Sequence, residues 1–355
     1  MIETQEREPA SWRLRRWAAP VVLAALVTAS IGMTSLLADD TPAQTLDSTE
    51  YRTPRFEVTV GHDAGGEPGV WFQVHRPGRS WPGFVDAVEP PPAVGEAREI
   101  RAGPGGRFLV ASSRAEPCES RLHGFRLTVD GHVTGLAPVA GGAVPGLLAG
   151  LAISPDGRHA AFATAPCEGG LSPAARPRAV LTVVDLGSGR RHSWDAPEES
   201  IIGEIVWARD SRTVGYTLSD VPAGTIRHLA VRALDTAAPG TDLRGGRVLF
   251  RPPADAGRIS FVTMAPDGRT GYGLAHKADQ ATDTTIIFGF TEGEPMRVTK
   301  TFQSKRGIVS TGIVVMGDDT SHYACLNGID AFGRAPEGKY SARYGSDLCR
   351  VAIAY

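Results

Sequence analysis

The segment LAISPDGRHAAFAT at 151–164 returns in altered form as FVTMAPDGRTGYGLA at 261–275. Three weaker relatives follow the same outline: AGPGGRFLVASS from 102, WARDSRTVGYTLSD from 207 and VMGDDTSHYACLNG from 315. Aligning Gly105, Asp156, Asp210, Asp267 and Asp318 gives successive intervals of 51, 54, 57 and 51 residues. A period near 50 constrains the fold more than any other feature of the chain. Units of that size cannot bury an apolar face alone, so they must stack or close on one another.

The chemistry of the unit is that of a turn between strands. In Ser154-Pro155-Asp156-Gly157 the proline presets φ, the aspartate accepts from nearby amides and the glycine takes a positive φ. Pro266-Asp267-Gly268 repeats the pattern. After the first turn come the half-alternating run HAAFATA, the run AVLTVVDL, a Gly-Ser-Gly turn at 187–189 and the run RRHSWDA. Four antiparallel strands per repeat make one blade of a β-propeller. The 42 Gly and 26 Pro of the 355 residues fit many short strands better than long helices.

The ends of the chain complement each other. RFEVTV, GVWFQV and GFVDAV supply three strands before the first repeat, and SHYACLNG and LCRVAIAY are the clear runs after the last. Sharing a sheet between the two termini would leave no long edge open. The expectation is an all-β propeller of six blades, with five or seven left open, occupying residues 55–355.

With those turns in view, the SPDGR and APDGR motifs and the small-apolar strands after them resemble the TolB-like (PD40) propeller repeat, a relative of WD40 blades. The likeness spans roughly residues 98–330. The layout as a whole is similar to actinobacterial membrane-anchored propeller proteins. What this implies is a fold and a cell-envelope location, with no reaction attached.

Residues 17–38 form a run of 22 without a charge, about 33 Å as a helix against a hydrocarbon core of roughly 30 Å. Arg13, Arg15 and Arg16 precede it, and Asp39 and Asp40 follow. The asymmetry predicts a single transmembrane helix with residues 1–16 in the cytoplasm. The rival is a cleaved signal peptide, disfavoured because the run is long for one and no Ala-x-Ala site closes it. Residues 39–54 read as a polar tether, and everything beyond as extracytoplasmic.

An oxidising compartment permits disulfides. Cys118 and Cys167 each follow the second strand of consecutive repeats, and equivalent loops of adjacent blades are neighbours, so these two are expected to pair. Cys325 and Cys349, read as lying in the second and third strand regions of the last blade, are the second expected pair.

Candidates for chemistry are few. The nine histidines are scattered, and isolated ones such as His62 or His132 read as solvated side chains. There is no close C-x-x-C pair, no H-E-x-x-H and no G-x-S-x-G, so neither a metal nor any other cofactor is expected. Glu204, Asp210, Asp267 and Asp318 could face a central funnel, but they read better as turn formers. With one Asn in the chain, a lactonase-like propeller site would lack expected ligands. GRRHSW at 189–194 is a basic strand that could meet an anionic polymer or simply expose alternate charges. Trp81 in PGRSWPGF at 77–84 reads as a loop residue and a possible binding anchor. A net charge of -2 with no basic face excludes nucleic acid as a partner.

The function expected on these grounds is a membrane-anchored extracytoplasmic binding or scaffold module that engages an envelope protein or glycopolymer. The alternative is a hydrolase or lyase acting on envelope sugars or peptides, to be recognised by carboxylates and histidines converging on the propeller axis.

Overall fold

Each repeat folds as a meander because its runs of small and β-branched residues are separated by turn residues at short intervals. The computed structural model describes residues 55–60, 69–76, 83–167, 178–196, 199–221, 227–278 and 282–305. It also describes the strand segments 310–315, 321–326, 329–334, 339–344 and 352–354, with only the backbone beyond residue 301. Three strands open this part of the chain: β1 (Phe56–Val60), β2 (Phe72–Arg76) and β3 (Gly83–Val88).

Five blades follow, each a contiguous run of four strands. Blade 1 holds β4 (Glu96–Ala102), β5 (Arg107–Arg114), β6 (Glu119–Leu127) and β7 (Val133–Pro145). Blade 2 holds β8 (Leu147–Ile153), β9 (His159–Ala165), β10 (Val180–Asp185) and β11 (Arg191–Asp195). Blade 3 holds β12 (Ser200–Trp207), β13 (Thr213–Asp220), β14 (Arg227–Asp235) and β15 (Arg247–Phe250). Blade 4 holds β16 (Arg258–Met264), β17 (Thr270–Ala278), β18 (Thr282–Thr291) and β19 (Arg297–Lys305). Blade 5 holds β20 (Ser310–Val315), β21 (Ser321–Leu326), β22 (Ile329–Arg334) and β23 (Lys339–Tyr344).

The last strand, β24 (Ala352–Ala354), returns to the beginning. It pairs antiparallel with β1 in the register Phe56↔Ala354, Glu57↔Ile353 and Val58↔Ala352, giving a closing sheet in the order β24-β1-β2-β3. Where the sequence pointed to six blades, with five or seven left open, there are five contiguous blades, and the remaining four-stranded sheet is a composite of the two ends. The first strands lie side by side: β24 against β4, β4 against β8, β8 against β12, β12 against β16 and β16 against β20. Sheets arranged radially around their first strands are a β-propeller.

Among the described side chains the core is divided the same way, one cluster for each space from the closing sheet to blade 4. Phe56, Phe72, Phe108 and Phe125 join the closing sheet to blade 1, with the rings of Phe72 and Phe108 stacked on Phe125 at centroid distances of 4.7 and 5.1 Å. Leu109, Leu122, Leu151 and Phe162 fill the space between blades 1 and 2. Leu181, Trp194, Trp207 and Tyr216 fill the next, and Phe250, Met264, Phe288 and Phe290 the one after. Each large side chain removed from water contributes about 1.5–3 kcal/mol, so every blade is stabilised chiefly by its neighbours. Trp71 and Trp207 belong to two of these clusters and are buried to 2% and 3% exposure. The Trp207 indole also donates to the Ala152 carbonyl of the preceding blade at 3.3 Å.

Among the described residues no helix is long and apolar enough to cross a membrane. The expected span at 17–38, the cytoplasmic segment 1–16 and the tether 39–54 all lie outside the described residues, as do Trp81, His62 and Asp318.

Candidate functional site

The repeat turns are structural. Asp156 accepts from the Arg158 amide at 3.0 Å and from Ser154 Oγ at 2.6 Å. Asp267 accepts from the amides of Arg269 and Thr270 at 2.8 Å and from Thr270 Oγ1 at 2.7 Å. Asp210 does the same with Arg212 and Thr213. Gly157 and Gly268 take φ values of 69° and 74°, the left-handed region that Asp-Gly turns need. Ser211 fills that position in blade 3 at φ 54° and uses its hydroxyl to accept from the Asp156 amide at 3.0 Å. The turns are also linked from blade to blade, Arg107 donating to the Gly157 carbonyl at 3.0 Å and the Arg209 amide to the Pro266 carbonyl at 2.8 Å. Burial opposes ionisation of Asp267 and Asp210, but the turn amides and hydroxyls outweigh it and hold both below the usual carboxylate range. These carboxylates are fully committed to the fold.

Cys118 and Cys167 are disulfide-bonded with Cα atoms 5.7 Å apart, joining the β5–β6 connection of blade 1 to the end of β9 in blade 2. The second expected pair, Cys325 with Cys349, lies outside the described side chains. Cys325 falls in β21, the second strand of blade 5, and the third strand is Ile329–Arg334, which does not contain Cys349. The GRRHSW strand is β11, the outer strand of blade 2, where Trp194 is buried and Arg190 and Arg191 are exposed. Arg191 is tied to the Ala143 carbonyl at 2.8 Å, so alternation on an outer strand accounts for the segment. His132 is exposed and sits 3.7 Å from the Asp86 carboxylate.

Glu204 parts company with the turn aspartates. The sequence grouped it with Asp210, yet it lies six residues earlier, inside β12, the first strand of blade 3. Its position is defined by an irregularity common to all five blades. The register slips between Ala97 and Glu99, Leu148 and Gly150, Ile202 and Ile205, Ile259 and Phe261, and Ser310 and Gly312. Each slip inserts one extra residue into the first strand seven or six places before the aligned turn residue, a β-bulge repeated around the ring. The burial pattern follows it. Arg98, Ala149, Gly203 and Ser260 are exposed, Glu99, Gly150, Glu204 and Phe261 half-buried, and Ile100, Leu151, Ile205 and Val262 buried or nearly so, in blades 1 to 4 respectively. In blades 1 to 4 the bulge leaves two consecutive residues of the first strand incompletely buried just before a buried one.

Three charged groups meet there. Arg101 of β4 pairs with Glu99 at 2.5 Å and donates through Nε to the Leu151 carbonyl of β8 at 3.0 Å. Glu204 on β12 is close enough for its charge to act on Glu99, and Arg101 acts on both. Burial pushes the Glu204 carboxyl above the ordinary carboxylate range, with Arg101 pulling the other way. Burial also raises Glu99. Arg101 lowers it, Glu204 raises it further, and the Leu151 main chain lowers it. Both carboxyls are partly buried, the Glu99 side chain being 18% exposed. Gly150 on β8 lets β12 pack closely against it: a Cβ there would stand 3.2 Å from Ile205 Cδ1 and 3.3 Å from the Gly203 carbonyl. The five first strands carry no His or Cys, and no group of three or more His, Cys, Asp or Glu is placed to hold a metal ion among the described residues.

No family model matches the sequence, and no curated protein matches it. Solved structures do. A functionally unknown protein from Desulfotomaculum acetoxidans is similar at a TM-score of 0.47 and 12% identity, over 82% of this chain and 79% of that one. The Dos1 propeller is similar at a TM-score of 0.45 and 10% identity, over 78% and 63%. The β-propeller domain of the Trilobed protease from Pyrococcus furiosus, which has an open velcro topology, is similar at 0.39 and 12%, over 69% and 70%.

Proposed function

We propose that the protein is a membrane-tethered, extracytoplasmic propeller that serves as a binding module of the cell envelope, with the recess ringed by the first strands as its ligand position. The observation that carries this is the trio Glu99, Arg101 and Glu204. Every turn aspartate with a described side chain is absorbed by the fold, whereas Glu99 and Glu204 lie at the bulges of β4 and β12, with Arg101 paired to Glu99. Charge is not placed in a desolvated recess for stability, because apolar residues there would serve the fold better. The envelope location rests on the uncharged run at 17–38 with arginines before it and aspartates after it, and the Cys118–Cys167 disulfide suits an oxidising compartment. The TolB-like ancestry of the repeat belongs to this reading, and an envelope protein or glycopolymer is the partner it favours.

One observation supports a second reading, a hydrolase or lyase. Two carboxyls held above their ordinary range beside an arginine are the means by which a site keeps an acid at neutral pH.

The test is crosslinking of the full-length chain in its native membrane, followed by affinity purification and mass spectrometry. A partner recovered in constant ratio, and lost from a chain ending at residue 54, supports the binding module. Recovery of the protein alone, with turnover of an envelope sugar or peptide that Glu204→Gln abolishes, would establish the enzyme instead.

A further inference from the structure

We propose that the end of the propeller carrying Arg55, Arg76, Arg107, Arg126 and Arg158 docks against the anionic phospholipid headgroups of the membrane that holds the chain. The inference rests on the membrane-tethered reading and adds to it the surface that meets the lipid. In every sheet the strands alternate in direction, so the connections from first to second strand and from third to fourth lie at the same end. β1 is the second strand of the closing sheet, and the chain therefore enters the propeller at this end too. Side-chain bonds join its turns into one surface. Arg55 donates to the Val129 carbonyl at 3.2 Å and Arg76 to the Asp130 carbonyl at 3.5 Å, Arg126 to that of Gly105 at 2.6 Å, and Arg107 to that of Gly157, the neighbour of Arg158, at 3.0 Å. No basic stretch marks this surface in the sequence, because its arginines are spread from residue 55 to residue 158 and are brought together by the turns.

These guanidiniums are oriented without being neutralised. Four of them are held by main-chain carbonyls, Arg55 and Arg76 also stand 6.0 and 5.9 Å from the centre of the Phe56 ring, and none of the five is joined to a carboxylate by a salt bridge among the described residues. A single bond to a carbonyl leaves most of a guanidinium's N–H donors for phosphate oxygens. The carboxylates close by are Asp86, Asp130 and Asp156, of which Asp86 accepts from the Val133 amide at 2.8 Å and Asp156 serves its own turn. The other end of blade 1 is built differently: Glu96 pairs with Arg98, and Glu119 takes both Arg114 and Arg121. Val129 and Phe84, 73% and 63% exposed, stand at the basic end, so that apolar side chains accompany the unpaired arginines as a lipid interface requires. The point of entry favours lipid over a soluble partner. Residues 39–54 separate the uncharged run from Arg55 by at most about 55 Å when fully extended, and the end they tie to the bilayer is the basic one.

Hydrogen–deuterium exchange of the full-length chain in nanodiscs tests this, comparing discs of phosphatidylcholine with discs that also contain phosphatidylglycerol. At low salt the amides of 103–108, 126–132 and 155–159 are expected to exchange at least about 5-fold more slowly on the anionic discs, and those of 115–119 and 145–147, at the other end, equally on both. High salt should remove the difference. Arg55→Gln/Arg76→Gln/Arg126→Gln is expected to abolish the protection. Val129→Glu, which adds an opposing charge at an exposed site outside the core, is expected to reduce it at least about 2-fold. Equal exchange on the two kinds of disc, or protection that survives both variants, would overturn the docking. Protection that appears on neutral discs when poly-L-glutamate is added, and not on anionic discs without it, would assign the surface to a soluble polyanion and overturn the lipid assignment. A chain that does not co-elute with the discs would remove the membrane tether and this proposal together, whereas one that co-elutes without lipid-dependent protection overturns the docking alone.

Discussion

The disulfide between blades 1 and 2 gives a worked magnitude. Cys118 and Cys167 are 49 residues apart in sequence, so the cross-link closes a loop of about 50 residues in the unfolded chain. Chain-closure entropy for such a loop is worth about 4 kcal/mol at 25 °C. The folded state gives up little else when the bond goes. The Ser120 hydroxyl still donates to the Gly146 carbonyl at 2.8 Å, the Leu148 amide to Ser113 Oγ at 3.0 Å, and the Leu109, Leu122, Leu151 and Phe162 cluster stays in place. Cys118→Ala/Cys167→Ala is therefore expected to lose about 4 kcal/mol, about 6 °C in Tm for a folded part of about 300 residues. Reductant is a poor substitute for the double variant because it would also act on Cys325 and Cys349. The assay is urea unfolding followed by far-ultraviolet circular dichroism, with m expected to rise somewhat in the double variant because its unfolded chain is no longer cross-linked. A loss below about 1 kcal/mol would refute the reasoning, showing that the unfolded chain holds these blades together without the bond.

Three further outcomes follow from the same structure. Glu204→Gln should raise stability at pH 7, because burial raises the folded carboxyl's pKa; the gain should shrink as pH falls from that raised value towards about 4.5 and be gone below it, where wild-type Glu204 is neutral in both states. Equal or lower stability at pH 7 would contradict it. His123 is buried against Trp71, and burial, with Arg121 adding to it, lowers its pKa below 6.5. The unfolded chain then binds the proton more readily, so wild type should lose stability relative to His123→Phe as pH falls below about 6.5, and parallel pH curves would exclude this. Trp207→Phe should cost about 2 kcal/mol in urea unfolding, since it removes the donor to the Ala152 carbonyl and leaves space between blades 2 and 3.

Much of the architecture was legible because it rests on local signals. The Asp-Gly turns, the strands RFEVTV, GVWFQV and GFVDAV, the closure of β24 onto β1 and the pairing of Cys118 with Cys167 all follow from turn chemistry and a period near 50 residues. The final blade was legible only in part. IDAFGR and KYSARY, the sources of β22 and β23, mix charges and glycine with single apolar residues and lack the apolar run that marks HAAFATA. The recess was the least visible feature. Nothing in EAREIRA marks the register slip between Ala97 and Glu99, and GEIV places Glu204 near enough to Asp210 to be taken for part of the turn. A bulge depends on the partner strand's register, and a single sequence does not display register.

The central claim is that the propeller's first strands enclose a ligand site built on Glu99, Arg101 and Glu204. Native mass spectrometry of the full-length chain extracted from its own membrane tests it most directly, comparing wild type with Glu99→Gln/Glu204→Gln. The account expects a small-molecule or partner adduct on wild type that is missing from the double variant while the variant keeps its fold. The same adduct on both, at equal occupancy, would contradict it.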